Sequence, residues 1–177
     1  MSICYLHGFG SSFSPQIEKI KTLSQLDDVI GPDLDYTLPF YDVVMKATDF
    51  ILKYKPILLV GTSMGGYLAS HLGYRLGIPF VAINPALYPS LSLERHDLGE
   101  YTLSTYPDFY SGVNRAFGLI LLDEGDEVFD STKTQKYLSP YYEVHTFLGG
   151  SHQFDHMNEA LSMINSFIEK SELSYGH

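Results

Sequence analysis

Cysteine is nearly absent. Cys4 is the only one in 177 residues, so the chain cannot form an internal disulfide. Its place in an apolar, strand-like run reads as a small buried hydrophobe rather than a reactive thiol. Long apolar runs are missing too, none nearing the roughly 18 residues that a bilayer crossing requires. The start, Met1 to His7, has no basic segment and only a short apolar stretch, so it does not read as a signal peptide and a cytoplasmic location is the expectation. Basic residues are scarce: 11 Lys and Arg against 21 Asp and Glu give a formal charge of −10. That balance argues against nucleic acid and anionic membrane as partners. No repeat, low-complexity tract or linker interrupts the chain, and a single domain over 1–177 is expected, with no second domain.

What is present is a core. Hydrophobic residues make up 45% and aromatics 14% of the chain, enough for one soluble globular unit. Apolar strand-length runs alternate with amphipathic helix-length segments, the pattern of an α/β fold with a mainly parallel sheet and helices on both faces. The expected strands are Ile3 to Leu6, Asp28 to Gly31, Ile57 to Val60, Phe80 to Asn84, Phe117 to Leu122 and Tyr142 to Leu148. The expected helices are Ser14 to Leu26, Tyr41 to Lys55, Gly66 to Leu76, Ser131 to Leu138 and His156 to Lys170. A polar tail from Ser171 to His177 should fray.

The third strand breaks at Gly61-Thr62-Ser63-Met64-Gly65 and continues into a helix. Gly-x-Ser-x-Gly between a strand and a helix is the sequence form of a nucleophile elbow. The turn holds its serine in a strained conformation, and side chains in place of the flanking glycines would collide with helix and strand. Ser63 is therefore the candidate nucleophile.

A serine hydroxyl attacks a carbonyl poorly until an imidazole takes its proton, and a carboxylate then fixes the imidazole tautomer. Both partners appear in the order serine, acid, histidine. The fifth strand leads into Asp123-Glu124-Gly125-Asp126-Glu127-Val128, where Asp126 is the preferred acid, with Asp123 and Asp130 as alternatives in the same loop. The sixth strand ends in Gly149-Gly150-Ser151-His152, and His152 is the candidate base. His156, four residues on, could in principle form a helical metal pair with it. It reads instead as a surface or helix-start residue, and neither metal nor organic cofactor is expected. After the first strand, His7-Gly8-Phe9 suggests an oxyanion turn in which the Phe9 amide is joined by that of Met64. Two such donors are worth about 3 to 4 kcal/mol each in well-studied enzymes.

Together these segments resemble the α/β-hydrolase superfamily, and within it the small YqiA/YcfP-type esterase-like proteins of bacteria. The resemblance spans essentially the whole chain, through Tyr5-Leu6-His7-Gly8-Phe9, Gly61 to Tyr67, Ile83-Asn84-Pro85-Ala86, Gly125-Asp126-Glu127-Val128 and Gly150 to Phe154. It implies a minimal three-layer α/β-hydrolase with a six-stranded sheet ordered 2-1-3-4-5-6, without the antiparallel strands that precede this sheet in larger relatives. It also implies a serine hydrolase acting on carboxylic esters or acyl thioesters such as acyl-CoA. The acidic chain would repel coenzyme A unless its few cations gather at the pocket mouth. Alternatives are a small peptidase or amidase, and a binding or regulatory protein that keeps the fold without turnover. A homodimer through an exposed face is compatible with the sequence but not signalled by it.

The least regular stretch, 85–112, lies where larger hydrolases insert a cap. Tyr88, Tyr101, Tyr106, Phe109 and Tyr110 crowd it, and Pro89 and Pro107 would interrupt helices. It reads equally as a short aromatic lid or as a crossover whose rings pack on the sheet. With Tyr67 after the elbow, Tyr88 and Phe109 are the expected substrate-binding side chains.

Overall fold

The computed structural model describes residues 1–110 and 117–175. Six strands, β1 (Ser2–Leu6), β2 (Asp28–Ile30), β3 (Leu58–Thr62), β4 (Phe80–Ile83), β5 (Gly118–Asp123) and β6 (Glu143–Phe147), form one sheet ordered β2-β1-β3-β4-β5-β6. Every pairing is parallel. Parallel neighbours require helical crossovers, and burial on both faces explains the near-continuous apolar character of β1, β3, β4 and β5.

Side chains alternate across that sheet. Cys4, Leu6, Leu59, Ala82, Ile120 and Leu122 face α2 (Phe40–Tyr54) and α3 (Met64–Leu76), which contribute Val44, Ala47, Ile51, Leu68 and Leu72. Ile3, Tyr5, Leu58, Val60, Val81 and Leu119 face α1 (Glu18–Leu23) and α7 (Met157–Tyr175), which contribute Ile20, Leu23, Ala160 and Ile164. Each of these Leu, Ile and Val side chains is removed from water at a gain of about 1.5–3 kcal/mol. Cys4 is fully buried, and burial pushes its thiol up to about 12, which makes it the inert packing residue that the sequence suggests.

Because β1 sends its chain to α1 on one face and β3 sends its chain to α3 on the other, the carboxyl ends of these two neighbours splay apart. A crevice at such a switch point is where open parallel sheets bind ligands. It lies between His7-Gly8 and Ser63. α3 can press on the sheet there because a Cβ at Gly65 would overlap the Leu6 carbonyl oxygen and one at Gly61 would overlap the Gly65 carbonyl.

Several element boundaries differ from the sequence reading. α1 starts at Glu18 instead of Ser14, because the Ser14 carbonyl and hydroxyl accept the Ile17 and Gln16 amides in a turn. α7 continues to Tyr175 rather than fraying from Ser171, whose buried hydroxyl donates to the Phe167 carbonyl at 2.8 Å; residues 176–177 lie outside the described residues. Between β4 and β5 stand α4 (Pro89–Glu94) and α5 (Glu100–Ser104). Pro89 opens α4 rather than breaking a helix, since a proline at the first helical position loses no hydrogen bond. α6 (Ser131–Leu138) is capped by Asp130, whose carboxylate accepts the Lys133 amide at 3.0 Å.

Candidate active site

Ser63 closes the elbow between β3 and α3 at φ 58°, ψ −118°. A non-glycine residue at positive φ is strained, and here the strain is held by its surroundings. The Ser63 amide donates to Ile83 at 2.9 Å, while its carbonyl accepts from Tyr67 and Ala86. The His7-Gly8 turn abuts the elbow, so that a Cβ at Gly8 would come within 3.5 Å of Ser63 Cβ.

Three of the residues singled out in the sequence converge. His152 Nε2 lies 3.0 Å from Ser63 Oγ, and His152 Nδ1 lies 2.9 Å from Asp126 Oδ2 and 3.0 Å from Oδ1. With Nδ1–H directed at the carboxylate, Nε2 presents a lone pair to the serine hydroxyl. The Asp126 side chain is only 2% exposed, and its Oδ1 also accepts the Val128 and Phe129 amides at 2.8 and 2.9 Å. Phe129 packs edge-on against the His152 ring at 5.0 Å. Glu127 accepts the His152 backbone amide at 2.9 Å, and that bond holds its carboxyl below the usual range.

The two oxyanion candidates flank the serine. Met64 is the first residue of α3, so its N–H has no intrahelical acceptor. The Phe9 N–H makes no hydrogen bond among the described residues, and the Phe9 ring stacks on His96 at 3.9 Å. His7 itself is 1% exposed and structural: its Nδ1–H donates to the Gly8 carbonyl and its Nε2 accepts the Leu34 amide, both at 2.8 Å. Tyr36 adds a bond from its hydroxyl to the His7 carbonyl at 2.8 Å.

The other acid candidates have other roles. Asp130 caps α6, and Asp123 forms a second carboxylate–histidine pair beneath the first. Fully buried, Asp123 lies 2.7 Å from His156 Nδ1 and accepts the Ser151 and Asp155 amides at 3.1 and 2.8 Å. Gly150, at φ 74°, passes so close that any Cβ would overlap the Asp123 carboxylate. Asn84 completes the arrangement, accepting the Asp123 amide at 2.9 Å and donating to the Ser151 and His152 carbonyls at 3.0 and 3.2 Å. His156 does stand at the start of α7 but is drawn inward to Asp123 and Phe147, not left on the surface. It and His152 serve different carboxylates, and no group of three or more His, Cys, Asp or Glu among the described residues could hold a metal.

A cavity of about 440 Å³ opens over Ser63 and His152, bounded by Gly8, Phe9, Thr62, Lys19, Arg95 and His96 among others. Tyr67, Tyr88 and Phe109 do not line it. Tyr67 is fully buried among Phe40, His71 and Tyr106, since the first turn of α3 faces the core. Phe109 is buried against Tyr142. Tyr88 lines a neighbouring apolar groove of about 380 Å³ between α4 and α6, with Pro85, Leu87, Leu91, Val128 and Phe129. Nor do the aromatics of 85–110 form a lid on the Ser63 cavity. Tyr106 is buried with its hydroxyl on the Tyr36 and Leu38 carbonyls, whereas Tyr101 and Tyr110 face outward; positions 111–112 lie outside the described residues. The segment instead supplies Arg95 and His96 to the cavity. No motif announced either residue, and only their place at the end of a short helix brings them there.

Residues 2–169 match the model of a family described as Uncharacterised protein family (UPF0227). The chain belongs to UPF0227. A UPF0227 protein of Yersinia pseudotuberculosis serotype O:1b is 32% identical over 175 residues, covering 93% of this chain and 97% of its own. The UPF0227 chain also shares its fold with solved structures of other proteins. One is S-formylglutathione hydrolase FrmB of Staphylococcus aureus (TM-score 0.65, 17% identity, 94% of this chain and 80% of that one). Another is Est1E of Butyrivibrio proteoclasticus with ferulic acid bound (TM-score 0.75, 13% identity, 97% and 89%). The fold of this chain is thus that of structures described as α/β hydrolases, as the motif order implied.

Proposed function

We propose that this protein is a serine hydrolase of carboxylic esters or acyl thioesters. The observation that carries the reading is the continuous path from Ser63 Oγ to His152 Nε2, at 3.0 Å, and from His152 Nδ1 to the enclosed Asp126 carboxylate, at 2.9 Å. In the reaction Ser63 Oγ attacks the acyl carbonyl while His152 takes its proton, and Asp126 stabilises the imidazolium that forms. The Phe9 and Met64 amides receive the developing oxyanion. His152 then returns the proton to the departing alcohol or thiol, and a water deprotonated by His152 cleaves the acyl-enzyme, releasing the acid.

The groove between α4 and α6 suits the apolar chain of the acyl group, because Phe129 touches His152 and also forms a wall of the groove. Tyr88 enters the proposal there, as a groove residue. No helix among the described residues is long and apolar enough to cross a membrane, and we place the reaction in the cytoplasm on small-molecule substrates.

The test is hydrolysis of p-nitrophenyl esters from acetate to palmitate, and of acyl-CoA, by wild type beside Ser63→Ala. Labelling with a fluorophosphonate is read in parallel. Turnover and labelling that vanish in Ser63→Ala support the proposal. An inactive, unlabelled wild type would sink it and favour a binding protein on the same fold.

A further inference from the structure

The protein carries almost twice as many acidic as basic residues, yet among the described residues no aspartate or glutamate lines the cavity above Ser63. Two of the few cations do: Lys19, from α1, and Arg95, from the end of α4. They enter from different elements, on opposite faces of the sheet. Arg95 Nε donates to His96 Nε2 at 3.3 Å, and no carboxylate among the described residues pairs with the guanidinium. Burial, followed by the neighbouring Arg95 charge, lowers the pKa of His96, which suits it to accept that bond as a neutral ring. The outer edge of the guanidinium is thus free to act as a two-pronged donor, the geometry that matches a carboxylate or phosphate.

Lys19 is less free. Its ammonium donates to the Gln153 carbonyl, and the Asp155 and Asp123 charges stand near it without lining the cavity. Gln153 directly follows His152, so this cation is tied to the loop bearing the proposed base. An acidic protein that keeps carboxylates out of one cavity's lining while admitting two cations offers an anion charged partners there that its overall balance does not.

We propose that the Ser63 cavity takes esters or thioesters bearing a carboxylate or phosphate close to the scissile carbonyl, with Arg95 and Lys19 as the anion-binding side chains. This rests on the serine-hydrolase reading and adds the substrate class to it. The anion belongs either to the acid half or to the leaving group of the substrate, and both share the same recognition chemistry.

Two matched pairs of esters separate these sources: 4-nitrophenyl valerate with mono-4-nitrophenyl glutarate, and phenyl butyrate with 4-(butyryloxy)benzoate. In at least one pair the anionic ester should have a kcat/KM higher by roughly tenfold, the value of one charge-assisted hydrogen bond. That ratio should collapse toward one in Arg95→Gln and in Lys19→Met, and shrink with added salt. Lys53→Gln, a control near the end of α2 and outside the cavity lining, should leave it intact. Anionic esters cleaved no faster than neutral ones in both pairs, or a preference that survives in the Arg95→Gln/Lys19→Met double variant, would overturn the proposal. Should no ester be cleaved and Ser63 stay unlabelled, the hydrolase reading fails by itself. Calorimetry with phenyl phosphate and monobenzyl succinate then decides the anion site, through binding lost in Arg95→Gln or no binding to wild type.

Discussion

Two histidines four residues apart along one loop each pair with a carboxylate, and the two pairs have opposite surroundings. His152 and Asp126 meet at 2.9 Å below an open cavity with a hydroxyl at the far nitrogen, whereas His156 and Asp123 meet at 2.7 Å under the loop itself. The Asp126 carboxylate accepts from the two amides that follow it in its own turn, Val128 and Phe129; Asp123 accepts from Ser151 and Asp155 on the opposite strand's loop. The same two residue types thus stand as the proposed proton machinery in one place and as a clamp in the other. What distinguishes them is neither composition nor spacing but whether a nucleophile and a cavity face the imidazole.

Removing the hydroxyl is the largest test of that contrast. Ser63→Ala should cut ester kcat by about 10⁵-fold or more with little change in melting temperature, as loss of a nucleophile does in a serine triad. Asp126→Asn keeps the shape but favours the wrong imidazole tautomer, so kcat should fall by about 10³–10⁴ at nearly constant stability. Asp123→Asn should show the converse. Leaving buried donors without their acceptor costs about 1–3 kcal/mol, to be read by denaturant unfolding, while the molecules that remain folded keep kcat within about tenfold of wild type. If Asp123→Asn instead lost as much kcat as Asp126→Asn without loss of stability, the lower pair would belong to the chemistry and the comparison would break.

Asn84→Ala sharpens the same point by cutting the link between the pairs. It frees the Ser151 and His152 carbonyls and leaves a buried Asp123 amide without its acceptor, a cost of about 1–3 kcal/mol. kcat should drop by about ten- to a hundredfold with KM less affected, since the base loses its placement rather than the cavity its walls.

The smallest effect concerns Lys19, which lies beside Asp155 and Asp123 on the clamp's side. Burial lowers its pKa from 10.5 to about 8, so above pH 8 the folded protein releases a proton that the unfolded chain still holds. The Lys19 contribution to stability should therefore rise by about 1 kcal/mol between pH 8 and 9, partly offset by Cys4 and read as the difference between wild type and Lys19→Met. Above pH 9 the trend should reverse, because buried Cys4, held up to about 12, and Tyr36 and Tyr5 keep protons that the unfolded chain loses. Lys19→Met should lack the rise between pH 8 and 9 and keep the later fall. Chemical denaturation of both proteins across that range measures it.

Much of this was readable along the chain. The strands and the positions of Ser63, Asp126 and His152 follow from local signals: apolar runs of strand length, glycines where backbone must pass backbone, and a serine, acid and histidine each placed just beyond a strand; the strand order was implied by the family resemblance. Such signals survive because propensity and turn chemistry act over a few residues, and in a parallel sheet the carboxyl ends of all strands lie along one edge. The preceding glycine and the following Val128 favoured Asp126 in the sequence, which still left Asp123, the last residue of β5, as an alternative. Only the fold of the histidine loop, which sends His152 to one and His156 to the other, decides between them.

The tertiary structure alone placed Asn84, Lys19, Arg95 and His96 around the site, because they come from three different stretches of chain with no shared motif. It also moved Tyr67 and Phe109 into the core, Tyr67 because the first turn of α3 faces inward against Phe40, His71 and Tyr106, and Phe109 by packing on Tyr142. What a short window of sequence determines is backbone geometry and the identity of reacting atoms. Which charges and surfaces surround those atoms depends on residues far apart in the chain, and these meet only when the two faces of the sheet are packed.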